Sequence, residues 1–346
     1  MLQEERSIIR KARCCMTERQ YKIPGKTLFV WEINNGAIQM ALDLPQVTSM
    51  SIEDAVHEII AKLQNAGIET VILHSTHFQR WKHYELNTRL AKMLPDVGIN
   101  VYVCAAVYKE DDPVHLGSLA ANLVNEFDLE GVIFDAEQSW DDAPASDTRT
   151  VKMLQACRER ANRGSLIGWC WWARYQDPIK SSTWHPKSVL WAAMAPQYGN
   201  ADFGIPMAYN RLPYASSYTQ LFEQTWQQWR DITDKPIVMG ARAYNGEGDT
   251  VDYEEMKEIE SISWLLGASG IAWWSMYHAV SIDEIWTAIM EGKDFYKSEE
   301  PEEPPEEEVS LEEMMDHIYN WCKGRMVEKT MDQMVEAIYH WCVDRD

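Results

Sequence analysis

The run Gly131-Val132-Ile133-Phe134-Asp135-Ala136-Glu137 is apolar until it ends in two carboxylates one residue apart. It is too short for a helix, and the two-residue period of a strand turns Asp135 and Glu137 toward one face. Ionisable groups at the end of an otherwise buried strand cost free energy unless they are hydrogen-bonded or used, so the pair is either a satisfied polar cluster or a catalytic one. Adjacent like charges raise the pKa of one member. That member then keeps a proton at neutral pH while its neighbour orients or stabilises. Other chemistries find less support. His74 and His77 have no further ligand at metal spacing, no Gly-x-Ser-x-Gly elbow appears, and none of the seven cysteines is paired with a base. No metal and no cofactor is expected.

Positioning the acids requires a scaffold, and the chain from Lys26 onward alternates short β-rich runs with helical patterns, the mark of parallel strands joined by helices. Strands are predicted over Thr27–Ile33, Thr70–His74, Asn100–Val107, Gly131–Glu137, Ser165–Trp172, Phe203–Tyr209, Pro236–Ala243 and Gly270–Met276. A helix follows each, the first opened by the capping pair Ser51 and Asp54 and closed by Gly67. Eight such units match a (β/α)8 TIM barrel. An open doubly wound sheet is disfavoured because Asn34-Asn35-Gly36, after the first strand, lacks a phosphate loop. Barrel sites lie at the carboxyl ends of the strands, which gathers Glu32, His74, Tyr108, Asp135, Glu137, Trp172, Arg174, Tyr209, Asn210, Arg242, Tyr244, Trp274 and Tyr277 on one rim. Arg174 and Arg242 could neutralise the acids as readily as touch a ligand.

The 346 residues suffice for one barrel with appendages, and four regions are expected: an N-terminal extension 1–22, the barrel 23–296, a linker 297–309 and a tail 310–346. The linker is rich in proline and glutamate, hence extended and self-repelling. The tail repeats at an offset of twenty, SLEEMMDHIYNWCKGR from Ser310 and TMDQMVEAIYHWCVDR from Thr330, each with a capping box and an amphipathic stripe. Two short helices of this kind need a partner: each other, another copy of the chain, or a ligand such as a cell wall. A net charge of −22 argues against a nucleic-acid partner. Seven cysteines without CxxC spacing fit a reducing compartment. The N-terminus shows no apolar signal segment and no run is long enough to cross a membrane, so synthesis in the cytoplasm is expected. Sixteen tryptophans against seven phenylalanines supply flat apolar faces with a polar edge, suited to stacking on sugars.

Three segments resemble glycoside hydrolase family 18, the chitinases and related endo-acting N-acetylglucosaminidases. Glu130 to Glu137, E-G-V-I-F-D-A-E, looks like the family's fourth-strand signature D-G-x-D-x-D-x-E. Met207-Ala208-Tyr209-Asn210 resembles its sixth-strand M-x-Y-D, and Gly270-Ile271-Ala272-Trp273-Trp274-Ser275 its eighth strand. The resemblance implies Glu137 as general acid, Asp135 as the residue orienting a substrate acetamido group, Tyr209 as a hydrogen-bond donor to it, and Trp274 as the stacking platform. Asn210, Trp172, Arg242, Tyr244 and Glu32 would complete substrate binding. Ile133 stands where the family has its middle aspartate, Glu130 replaces the first, and Asn210 the last residue of the sixth-strand motif. Family 25 lysozyme-type barrels also carry D-x-E on the fourth strand, but their first strand supplies an aspartate where this chain has Trp31-Glu32.

Two acids adjacent on one strand cannot flank a glycosidic bond, which disfavours a protein nucleophile and suits hydrolysis assisted by the substrate's own 2-acetamido oxygen. The expected activity is cleavage of a β-linked N-acetylated polysaccharide, chitin or the peptidoglycan glycan, in the manner of a phage-type lysin that meets the wall on cell lysis. Two alternatives stand beside it: a carbohydrate-binding barrel that has lost hydrolysis, and an assembly protein acting through its repeats.

Overall fold

The computed structural model describes residues 25–30, 51–76, 78–81, 84–176, 184–195, 201–211, 215–245 and 250–292. The expectations for residues 1–22, for Glu32, for the linker 297–309 and for the repeats of 310–346 lie outside the described residues. Eight parallel strands form the frame: β1 (Lys26–Val30), β2 (Thr70–Thr76), β3 (Asn100–Val107), β4 (Gly131–Ala136), β5 (Leu166–Trp172), β6 (Phe203–Met207), β7 (Val238–Arg242) and β8 (Gly270–Trp274). Each pairs with the next, and β1 pairs with both β2 and β8, which closes the sheet into a barrel. A two-residue strand, Arg80–Trp81, turns back antiparallel on the end of β2.

Helices alternate with the strands as α1 (Ile52–Asn65), α2 (Tyr84–Met93), α3 (Pro113–Phe127), α4 (Ser146–Arg160), α5 (Lys187–Met194), α6 (Tyr218–Arg230), α7 (Tyr253–Leu265) and α8 (Asp283–Met290). Their ends follow from local chemistry. The Ser51 hydroxyl accepts from the Asp54 amide at 3.1 Å, and Gly67, at φ +60°, takes the left-handed turn after α1. Asp112 caps α3 by accepting from the His115 amide at 2.7 Å, with Pro113 in the first turn where no amide is missed. Asp252 and Glu255 close a reciprocal capping box on α7.

The two-residue period sorts side chains into two cores. Outward-facing residues such as Val132, Phe134, Trp169 and Trp171 pack beneath the helices. Inward-facing ones, Phe29, Ile72, Tyr102, Cys104, Ile133, Leu166, Cys170, Phe203, Ile205, Val238 and Ala272, fill the lumen. The register places Ile133 between Cys104 and Gly168, and Asp135 one pleat higher, between Ala106 and Cys170. Gly168 makes the lower layer fit: a methyl group there would stand 2.6 Å from the Phe203 ring and 2.9 Å from Ile133 Cγ1.

The expected strands are recovered with their order, and Asn100–Val107 with its bounds. Several end earlier than predicted. β4 stops at Ala136 and β6 at Met207, so Glu137, Tyr209 and Asn210 stand past the last ladder bonds, at the mouth.

Candidate active site

Asp135 and Glu137 enter the mouth from neighbouring levels of one strand. Asp135 is only 6% exposed, whereas Glu137, still extended at φ −121° and ψ −161°, leads into a single helical turn, Gln138–Asp141, and is open to solvent. Above them lies a cavity of 440 Å³, within the range of small-molecule sites. Its walls include Cys170, Trp172, Arg174, Trp184, His185, Met207, Tyr209, Asn210, Tyr244 and Trp274. Among the described residues, no other carboxylate lines it. Nor do the described residues assemble three side chains fit to hold a metal ion.

Burial sets the electrostatics. It is the first cause, with the Glu137 charge second, that pushes the Asp135 carboxyl up to about 7, against a hydrogen bond from the Cys170 thiol that pulls it down. The repulsion expected between the acids is therefore present but subordinate, because Asp135 reaches below the rim into the lumen. Partial desolvation against the cavity walls also raises Glu137, although its side chain reaches solvent, so both acids hold protons more tightly than free carboxyls do. The same cause, reinforced by the surrounding acidic groups, lifts the Tyr209 phenol well above its ordinary value, and it stays a neutral O–H donor. Asp135 Oδ1 is buried and meets no hydrogen-bond donor among the described residues.

Besides the acid pair, six of the residues expected to act on or bind a substrate lie among the described residues. Trp172, Tyr209, Asn210, Tyr244 and Trp274 share the cavity with Asp135 and Glu137. The Trp274 ring packs on Phe29 at 5.0 Å and on Tyr209 at 6.1 Å, so that it closes the top of the lumen and floors the cavity, and its peptide bond to Ser275 is cis. Arg242 stands apart from them. It is 0% exposed, with Nε donating to the Tyr244 carbonyl at 3.0 Å, Nη1 to Asn210 Oδ1 at 3.1 Å, and its guanidinium 4.4 Å over the Tyr244 ring. It braces two cavity residues, Asn210 and Tyr244. Neither arginine neutralises the acids. Arg174 lines the cavity but bonds Gln224 Oε1 at 2.7 Å, and no cation lowers either carboxyl.

Three cavity-associated residues escaped sequence reasoning: Asp141, Trp184 and His185. Asp141 Oδ1 accepts from Trp171 Nε1 at 3.0 Å, while Oδ2 accepts from Trp172 Nε1 at 3.0 Å and pairs with His185 Nδ1 at 3.2 Å. The paired tryptophans of β5, whose indole N–H groups need acceptors when buried, were the one signal that an acid must lie nearby.

Neither a family model nor a curated protein sequence matches the chain. Solved structures do resemble it in fold. The spore cortex-lytic enzyme SleL of Bacillus cereus superposes with a TM-score of 0.53 at 9% identity, over 77% of this chain and 73% of that one. A GH18 chitinase from Pseudoalteromonas aurantia gives 0.50 at 14% identity, over 75% and 96%. An endocellulase from Pyrococcus horikoshii, in a complex with cellotetraose, gives 0.52 at 12% identity, over 78% and 93%. The barrel thus has a fold like that of glycoside hydrolase family 18, shared with enzymes named for different glycans.

Proposed function

We propose that the barrel hydrolyses a β-linked, N-acetylated glycan with assistance from the substrate's own acetamido group. The observation that carries this reading is Asp135: a buried carboxyl poised near neutrality, with Oδ1 lacking a donor, at the floor of an aromatic cavity. A 2-acetamido N–H is a donor of the right kind for that atom. Once Asp135 holds it, and the Tyr209 hydroxyl donates to the acetamido oxygen, the acetamido group is aligned under the anomeric carbon.

Glu137 then gives its proton to the glycosidic oxygen, the bond from that oxygen to the anomeric carbon breaks, and the acetamido oxygen bonds to the carbon in its place. The cyclic cation that forms is offset by Asp135 in its ionised state. In the second half Glu137, now a carboxylate, takes a proton from water as the water attacks the anomeric carbon and the ring reopens. The absence of a further carboxylate among the described cavity residues supports a nucleophile supplied by the substrate. Trp274 and Trp172 would stack on sugar faces.

Ile133 favours a second reading, a barrel that binds glycans without cutting them, since no carboxyl lies beneath Asp135 to share its proton. Incubating the full chain with chitin oligosaccharides and with purified peptidoglycan, and assaying new reducing ends, separates the two. Release of ends that depends on Glu137 supports hydrolysis; binding without release supports the second reading. The repeats of residues 310–346 would in either case hold the barrel at an insoluble glycan or join copies of the chain.

A further inference from the structure

The turn that follows Glu137 ends in Asp141, whose side chain is 2% exposed. A buried carboxylate is tolerable only when donors meet its oxygens, and here the indoles of Trp171 and Trp172 and the His185 ring do so. Because the carboxylate can only accept, Nδ1 carries a hydrogen, and in the tautomer this selects Nε2 is the acceptor. The ring is also fixed in plane. It stacks on Trp172 at 4.3 Å and 15°, sits 5.1 Å from the Trp184 ring, and its loop is tied down by the amides of Trp184 and His185, which both donate to the Tyr175 carbonyl, at 2.7 and 3.1 Å.

His185 is only 4% exposed yet lines the cavity, and its bond to Asp141 uses Nδ1 and leaves Nε2 for a ligand there. Beside it Trp184 keeps 42% of its surface exposed on the same cavity wall. A flat aromatic face next to a fixed in-plane acceptor matches a pyranose ring, whose C–H face stacks while a hydroxyl or amide N–H at its edge donates.

We infer that Trp184 and His185 form a second sugar subsite on the β4–β5 side of the mouth, where the neighbouring residue of a β-linked N-acetylated glycan stacks on Trp184 and donates a hydrogen bond to His185 Nε2. The inference rests on the hydrolase reading for the class of ligand. Asp141 is a positioning residue: it touches no sugar but fixes the tautomer and the plane of the ring. Its place four residues after Glu137 ties the subsite to the proton donor through one helical turn.

The test is a calorimetric titration of the full chain carrying Glu137→Gln, which binds without turnover, with N-acetylglucosamine oligomers from dimer to pentamer. Trp184→Ala and His185→Asn are added singly. Asparagine keeps a donor near the Nδ1 position for Asp141 and deletes Nε2, and Trp184 is exposed enough for its removal to leave the fold intact. Affinity in the parent should rise with length until the subsite is filled. Each substitution should then weaken the longest oligomer about tenfold, equivalent to roughly 1.4 kcal/mol, and leave the shortest unchanged. An equal loss at every length, or no loss, overturns the subsite and leaves the hydrolase reading standing. If the parent binds none of the oligomers, the hydrolase reading of the ligand fails and the subsite fails with it.

Discussion

The lower and upper halves of the barrel lumen are built from the same strands and obey opposite rules. Below, Phe29, Ile72, Ile133, Phe203 and Val238 interdigitate with no polar group of their own, and Gly168 gives up its side chain to let Ile133 in. Above, Asp135, Glu137, Cys170 and Tyr209 crowd titratable groups into one space. A single pleat of β4, about 7 Å, separates Ile133 from Asp135. The lower layer holds the barrel together, while the upper layer places a carboxyl where its charge opposes the fold. The apolar layer also causes the chemistry above it: Asp135 rests on hydrocarbon rather than on water, so burial rather than a neighbouring charge leads the rise of its proton affinity.

The largest expected effect lies in the upper half. Glu137→Gln keeps the shape of the side chain but delivers no proton, and reducing-end assays should show turnover lowered by about two to four orders of magnitude. Unchanged turnover would remove Glu137 from the chemistry. Next comes Asp135→Asn, which should reduce turnover more than affinity and at the same time stabilise the protein. The folded carboxyl binds its proton more tightly than the unfolded chain does, at about 7 against 3.8. Stability from this group is therefore fully present below pH 4 and is lost as pH rises through 7. The asparagine variant should accordingly resist urea better than the parent at pH 8, by up to roughly 4 kcal/mol, and match it at pH 4. An equal difference at both values would mean that Asp135 is not strained by its charge. The smallest effect belongs to the lower half: Ile133→Val removes one methylene from the dry layer and should cost about 0.5–1.5 kcal/mol of stability, read from urea midpoints, with the pH optimum of turnover unmoved. A shifted optimum would show that the two halves are coupled more tightly than their chemistry suggests.

Much of this division was legible in the sequence because it follows a period. Alternation over Gly131–Glu137 put Ile133, Asp135 and Glu137 on one face, and eight repeats of strand and helix were enough to bring Trp172, Tyr209, Asn210, Tyr244 and Trp274 to the same mouth. Depth was not legible. Arg242 ends a strand as a rim residue should, yet it folds back over Tyr244 to satisfy its donors, and only three-dimensional packing decides between those directions. The Asp141–His185 pair was out of reach for a different reason. The residues lie 44 positions apart, one in the helical turn after β4 and one in the segment after β5, and meet because β4 and β5 are neighbours. The rank of the causes acting on Asp135 was likewise hidden, since spacing reveals the nearby charge of Glu137 but not how far below the rim the carboxyl sits.

The central claim is that Asp135 and Glu137 act through a group carried by the substrate, and a matched pair of substrates tests it most directly. Oligomers of β-linked N-acetylglucosamine and their fully deacetylated counterparts, at equal length and concentration, are incubated with the parent chain and with the Glu137→Gln variant, and new reducing ends are counted. Cleavage of the acetylated series alone, abolished in the variant, is the predicted result. Comparable cleavage of the deacetylated series would contradict it, because a chain without an acetamido oxygen can be cut only if the protein supplies the nucleophile.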